Sequence, residues 1–192
     1  METVNSLARL AAAASACRRC ERVRPGSAVL GPGNGVPGAR WLFVGEAPGR
    51  RGAGRTRIPF LGDESGRRFE LLLEAAGFRR DEIFVTNAVL CLPLDGVGRN
   101  RRPAAAELRA CAPLLAATLD LVAPAVVLAL GATALAALDA IERHGLRLRD
   151  AVGMRVPWRG TVLVPLYHPS RQAELHRPWE RQLADWRALT GE

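Results

Sequence analysis

The chain has 192 residues, 48% apolar and 24% charged, enough apolar material for one core and too much for wholesale disorder. Its longest apolar run, Leu119 to Leu130, is broken by Asp120 and Pro124, which argues against a membrane span. The Ala-rich start, short and preceded by Arg9, does not read as a secretory signal, so a cytoplasmic location is expected. The net charge is +8, and all 27 basic residues are arginine. GC-rich coding explains that choice blandly, but a planar guanidinium fork is also the side chain best suited to phosphate, so a polyanionic partner is favoured.

Residues 1–16 read as an Ala-rich helix, followed by Cys17-Arg18-Arg19-Cys20. A Gly/Pro-dense loop covers 25–40. Trp41-Leu42-Phe43-Val44 reads as a buried strand and leads into Gly45-Glu46-Ala47-Pro48-Gly49 and a Gly/Arg loop to Arg57. Helical periodicity runs over 64–76 through Phe69, Leu72, Leu73 and Ala76, with Gly77 as its stop. A second strand, 83–85, ends at Thr86-Asn87, and a further Gly/Arg loop fills 94–103. Pro103 opens a helix towards Leu121. Ala125 to Leu130 is a third strand, and Gly131-Ala132-Thr133 leads into a short helix. Residues 144–160 read as irregular, 161–166 as a fourth strand ending at Tyr167-His168-Pro169-Ser170, and about 172–189 as an amphipathic helix with Trp179, Leu183 and Trp186 on one side.

Strand and helix in alternation predict an α/β fold: one domain over 1–192, three layers αβα, around a central, mainly parallel four-stranded sheet. Residues 1–24 form its N-terminal helix and CxxC segment. Glu46, Asn87, Gly131 and His168 each follow a strand, where such sheets bind ligands, so the four are expected to converge on one crevice.

The chemistry-bearing residues each have two readings. The four cysteines, Cys17, Cys20, Cys91 and Cys111, suit a tetrahedral zinc or an iron–sulfur cluster, and spacing does not choose between them. Cys91 and Cys111 also fit as small buried apolar residues. Glu46, flanked by Gly45 and Gly49 that permit close approach to a ligand, positions water or caps a turn. Asp63 in Gly62-Asp63-Glu64-Ser65-Gly66 is a helix cap or an active-site acid. His168, held extended by Pro169, donates to a developing anion or is a hydrogen-bonded surface histidine. Phe60 is core or a stacking platform, and Asn87 reads a ligand edge or caps a turn. Arginines at 50–57, 99–102 and 177–181 are a solvated surface, or phosphate contacts where they flank the crevice.

Taken in order, Cys17-x-x-Cys20, Gly45-Glu46-Ala47-Pro48-Gly49, Pro59-Phe60-Leu61-Gly62, Thr86-Asn87-Ala88-Val89-Leu90-Cys91, Cys111, Leu130-Gly131-Ala132-Thr133 and His168-Pro169-Ser170 resemble the uracil-DNA glycosylase superfamily, in particular its iron–sulfur branch, family 4. The match covers most of the chain. It implies a structural 4Fe–4S cluster on the four cysteines, with zinc the lesser alternative, tying the N-terminal segment to the domain. It implies excision of uracil, or another deaminated base, from DNA by base flipping. In that reading Phe60 stacks on the base, Asn87 reads its edge beside Gly45, and His168 stabilises the departing anion. Glu46 positions water, with Asp63 as alternative or helper. Arg171 enters or grips the duplex, and Arg55, Arg101 and Ser170 contact DNA. A monomer is expected.

Two departures stand out. The stretch Arg50 to Arg57 lacks the acidic pair usual in family 4 and, with Gly62-Asp63-Glu64-Ser65-Gly66, resembles family 5, whose base range is broader. Arg99-Asn100-Arg101-Arg102 has no histidine, unlike the covalently DNA-trapping relatives. The absence of lysine excludes a lysine Schiff base and so a lysine-dependent lyase step. Two other classes remain: a damage-binding module on the same fold without turnover, and a zinc-stabilised basic protein of other lineage.

Overall fold

A computed structural model describes residues 2–191. Helix α1 (Glu2–Ala16) is followed by strand β1 (Trp41–Gly45), the short helix α2 (Ala53–Thr56), α3 (Glu64–Ala75), β2 (Ile83–Asn87), α4 (Ala105–Val122), β3 (Val126–Leu130), α5 (Ala132–Asp139), α6 (Leu148–Ala151), β4 (Val156–Trp158), β5 (Thr161–Leu166) and α7 (Trp179–Arg187). The sheet has five strands in the order β2-β1-β3-β5-β4. The first four are parallel, and β4 runs antiparallel to β5.

The sequence reading of four strands is corrected by β4. Its Pro157 lacks an N–H for a ladder, which is why 156–158 looks irregular; an edge position tolerates it. The hairpin closes through Arg159 and Gly160, both at positive φ (49° and 71°), as a tight two-residue turn between twisted strands requires. Trp158 anchors the edge, its indole N–H donating to the Glu142 carbonyl at 2.7 Å. The expected helix over 172–189 is split. A 3-10 turn (Arg171–Leu175) precedes α7, because Pro178 cannot continue a helix from the turn before it.

Alternation along the strands divides the core in two. Leu42, Val44, Val127 and Leu163 pack with Leu115, Leu119 and Val122 of α4 and with α5. Phe43, Val85, Leu128 and Val164 face the other way, onto Phe69, Leu72 and Leu73 of α3 and Trp186 of α7. Burial on both faces is why each parallel strand reads as an unbroken apolar run. Phe43 lies between Phe69, edge-on at 5.5 Å, and Trp186, stacked at 5.4 Å. Burying side chains of this kind stabilises by about 1.5–3 kcal/mol each.

The N-terminal segment is fastened independently of its cysteines. Leu7 of α1 joins the core cluster that includes α4. Residues 24–29 run beside 90–92, with Val29 N–H donating to Leu90 O at 2.8 Å and Leu92 N–H to Ser27 Oγ at 2.9 Å.

Candidate active site

At the carboxyl edge of the sheet lies a cavity of about 700 Å³ whose walls include Glu46, Phe60, Asp63, Asn87, His168 and Ser170. The parallel register aligns the strand ends. Gly45 pairs with Asn87, and beyond the last pair Ala88 N–H donates to Gly45 O (2.8 Å) and Val89 N–H to Glu46 O (3.1 Å). The backbone of Glu46 is thereby held while its side chain, 32% exposed, stays at the cavity wall. Its Oε2 is 3.7 Å from Arg102 Nε.

Asn87 is 3% exposed, and among the described residues its amide makes no hydrogen bond, although it lines the cavity. The amide is thus left open to the cavity, with its donor and acceptor both available there. Phe60 sits at φ 51°, a left-handed conformation that a bulky residue adopts only when its surroundings compel it. Here its ring stacks on Phe69 (4.6 Å, 21°) and stands 5.5 Å from the His168 ring. Gly45 makes the arrangement possible. A Cβ there would stand 2.6 Å from Asn87 Oδ1 and 2.8 Å from the Phe60 ring.

Asp63 divides its carboxylate. One oxygen caps α3 by accepting from Gly66 N–H at 2.9 Å. The other packs against the Gly49–Gly52 turn, where a Cβ on Gly52 would come within 2.2 Å. Asp63 is thus a helix cap that also stands at the cavity wall.

His168 is fixed at its backbone by Ser170 N–H donating to its carbonyl at 2.8 Å, and a Cβ on Gly131 would lie 3.3 Å from its own Cβ. Removal from water disfavours its charged form and lowers its titration from 6.5 to about 4. The imidazole is therefore neutral at neutral pH, with one N–H to give and one bare nitrogen.

The arginines sort into two kinds. Arg101 is committed internally: its guanidinium clasps Glu107 (Nη1–Oε2 2.8 Å, Nη2–Oε1 2.5 Å) and donates to the carbonyls of Leu94 and Arg22. Its side chain is 14% exposed, which leaves little for DNA. Arg55 is exposed on α2, and Arg171, 78% exposed, has Glu64, at 3.4 Å, as its one ion-pair partner among the described residues. Arg102, from the arginine run 99–102, flanks the cavity. Two further features have no role in the sequence reading: Tyr167 lines the cavity, and Leu175 stands 81% exposed in the turn just after His168-Pro169-Ser170. An apolar tip beside an arginine in a Gln/Glu-containing turn carries no periodic signal.

The four thiols share one neighbourhood. Cys91 feels Cys17 and Cys20, and Cys111 feels the other three. An apolar cluster of Ala14, Ala28, Val89 and Leu90 surrounds Cys111, and Leu90 N–H points at its sulfur, 3.4 Å away. Burial pushes the Cys111 thiol up to about 11, so it stays protonated unless a cation compensates. Among the described residues no three His, Cys, Asp or Glu side chains close on a single ion. Zinc would need its thiolates about 3.8 Å apart, given Zn–S of about 2.3 Å, whereas a cluster, being larger, holds its ligands farther apart. The donor set, all sulfur in an apolar shell with an N–H directed at sulfur, fits a cluster.

A family model described as the uracil DNA glycosylase superfamily matches residues 32–189. The chain belongs to that superfamily. Similar proteins include a Type-4 uracil-DNA glycosylase of Sulfurisphaera tokodaii, 28% identical over 95% of this chain and 81% of that protein. Another Type-4 uracil-DNA glycosylase, from Thermotoga maritima, is 34% identical over 78% of this chain and 76% of its own length. A Type-5 uracil-DNA glycosylase of Thermus thermophilus is 37% identical over 73% and 69%. Relatives of both types agree with a family 4-like chain that has family 5 similarity. Among the described residues no helix is long and apolar enough to cross a membrane.

Proposed function

We propose that this protein is a DNA repair glycosylase that hydrolyses the N-glycosidic bond of uracil in DNA, leaving an abasic site. The observation that carries the reading is that one cavity joins an Asn87 amide with no partner among the described residues, the Phe60 platform, a carboxylate and a neutral imidazole. A base inside a duplex cannot reach such a cavity, so the nucleotide is flipped out, at a cost of a few kcal/mol. Leu175, the most exposed large apolar side chain among the described residues, is placed to fill the space left in the stack, as apolar wedges do. Arg171 beside it then grips the backbone, and Arg55, Arg102 and Ser170 add contacts outside the cavity.

Once the base lies on Phe60, the Asn87 amide pairs with its edge, and uracil's O4 acceptor and N3–H donor distinguish it from cytosine. As the N1–C1′ bond breaks, the bonding pair passes to the uracil ring, and the neutral His168 N–H stabilises the charge at O2. Water adds to C1′ of the cationic sugar, Glu46 orienting it and accepting its proton. With one oxygen engaged as a cap, Asp63 assists electrostatically. Without lysine there is no lysine Schiff base, so only the α-amine could support strand cleavage, and we propose a monofunctional enzyme.

Cys17, Cys20, Cys91 and Cys111 would hold a 4Fe–4S cluster, whose contribution when bound is a covalent tie between the N-terminal segment and the strand end. The enzyme acts as a monomer in the cytosol. The test is cleavage of labelled oligonucleotides carrying one uracil opposite G, opposite A or single-stranded, with hypoxanthine alongside, followed by alkali. Uracil release that is lost in Glu46→Gln supports the reading. A brown, cluster-loaded protein that binds uracil DNA and leaves every base attached refutes it.

A further inference from the structure

We infer that Arg68 is a positioning residue for duplex recognition: with Glu174 it latches the turn 171–175 to α3, and so sets the spacing between the base site and the tip that enters the helix. The inference rests on the glycosylase reading above.

The turn has little else to hold it. Its own hydrogen bonds are local, Ala173 N–H to Ser170 O and His176 N–H to Ala173 O. Of its residues only Ala173 is buried, and Leu175 points into water. Arg171 offers α3 a long, exposed contact to Glu64. The firm tie is Glu174, whose Oε1 lies 2.5 Å from Arg68 Nη2. Arg68 itself is 6% exposed, its guanidinium lies over the Trp179 ring at 4.1 Å, and neither its Nε nor its Nη2 makes a hydrogen bond among the described residues, so the tie to Glu174 is a close ion pair and not a directed hydrogen bond. One buried cation therefore joins three pieces of chain: α3, the turn and the start of α7.

Stability is a poor explanation for it. A buried ion pair is often replaced by apolar side chains of similar volume without loss, and an incompletely bonded guanidinium is worse than one fully satisfied. What a charge provides here, and an apolar contact does not, is an attraction that draws Glu174, and with it the turn, to one point on α3. The location gives that placement a use. Arg68 adjoins Phe69, the ring under Phe60, and α3 begins at Asp63. The same helix thus supports the base platform and fixes the turn carrying Arg171 and Leu175. The latch matters only when a duplex must be opened, because a single strand already presents its bases.

The experiment compares kcat/KM on duplex and single-stranded uracil oligonucleotides for wild type, Glu174→Gln and the double variant Arg68→Met with Glu174→Met. Glu174→Gln leaves Arg68 a buried, uncompensated cation, so its melting temperature is measured alongside and the double variant decides. The double variant removes the charge without leaving an unpaired ion, which separates the latch from stability. The expected result is a duplex-to-single-strand ratio about tenfold below wild type in Glu174→Gln and in the double variant, as misplacement by a fraction of an ångström produces. Single-strand kcat and the melting temperature of the double variant stay near wild type. A ratio within about twofold of wild type in the double variant overturns the inference while leaving the glycosylase reading intact. A wild type that cleaves neither substrate sinks both.

Discussion

His168 offers the sharpest test of the chemistry. The perturbation is His168→Ala, which removes the imidazole from beside Phe60, 5.5 Å between ring centroids, and leaves Gly131 and the backbone turn unchanged. If the neutral N–H stabilises the departing uracil anion, its loss costs about 2.7–4 kcal/mol of transition-state stabilisation, or about 10²–10³ in kcat. Because the group titrates at about 4 rather than 6.5, wild-type kcat should show no limb from His168 between about pH 5.5 and 8. Folding stability carries a second signature. The native value lies below the unfolded one, so the unfolded chain takes up the proton first. Stability from this group is complete above about pH 6.5 and is lost as pH falls towards 4, by up to about 3 kcal/mol. Single-turnover cleavage from pH 5 to 8, with urea melts of both proteins at pH 7 and 4.5, reads all three quantities. The reasoning fails if the variant cleaves within about fivefold of wild type. It also fails if wild type shows a His168-dependent limb near pH 6.5, or if the two proteins lose the same stability on acidification.

Gly45→Ala places a methyl within 2.6 Å of Asn87 Oδ1 and 2.8 Å of Phe60; we expect kcat/KM to fall about a hundredfold with a stability loss of about 1–3 kcal/mol, measured by cleavage kinetics and thermal melts. Asp63→Asn keeps the cap to Gly66, so it should melt within about 0.5 kcal/mol of wild type and lose less activity than Glu46→Gln, whereas Asp63→Ala loses about 1 kcal/mol of cap as well; the reverse ranking of the two carboxylates would reassign the water-positioning role. Arg101→Ala leaves Glu107 buried and unpaired, at a cost of about 3–5 kcal/mol, yet should leave the salt dependence of DNA binding unchanged, while Arg102→Ala should reduce that slope by about one ion without lowering the melting temperature. Cys111→Ser should yield protein with less than a full complement of iron and a lower melting temperature, read by metal analysis and calorimetry; full iron occupancy would remove Cys111 from the ligand set.

Much of the fold was legible because the parallel strands are buried on both faces. Trp41 to Val44, Ile83 to Val85 and Ala125 to Leu130 stand out as short apolar runs, and turn residues mark where each stops. β4 was not legible, since Pro157 and a two-residue turn of Arg159 and Gly160 contradict strand propensity, and only pairing with β5 makes the segment a strand. The same holds for Pro178, which ends one helical turn and begins another where periodicity alone suggests a single helix.

The site divides in the same way. That Glu46, Asn87, Gly131 and His168 fall at strand ends is determined by the sequence, because a parallel sheet delivers strand ends to one edge whatever the details. The residue types likewise determine that the thiols can bind metal and that no lysine forms a Schiff base. The neutral state of His168, the division of Asp63 between capping and cavity, the commitment of Arg101 to Glu107 and the latch at Arg68 were decided by tertiary structure. Each depends on which groups lie within a few ångströms across more than one element. Burial and pairing at that range set protonation and availability, and the order of residues along a chain does not encode them.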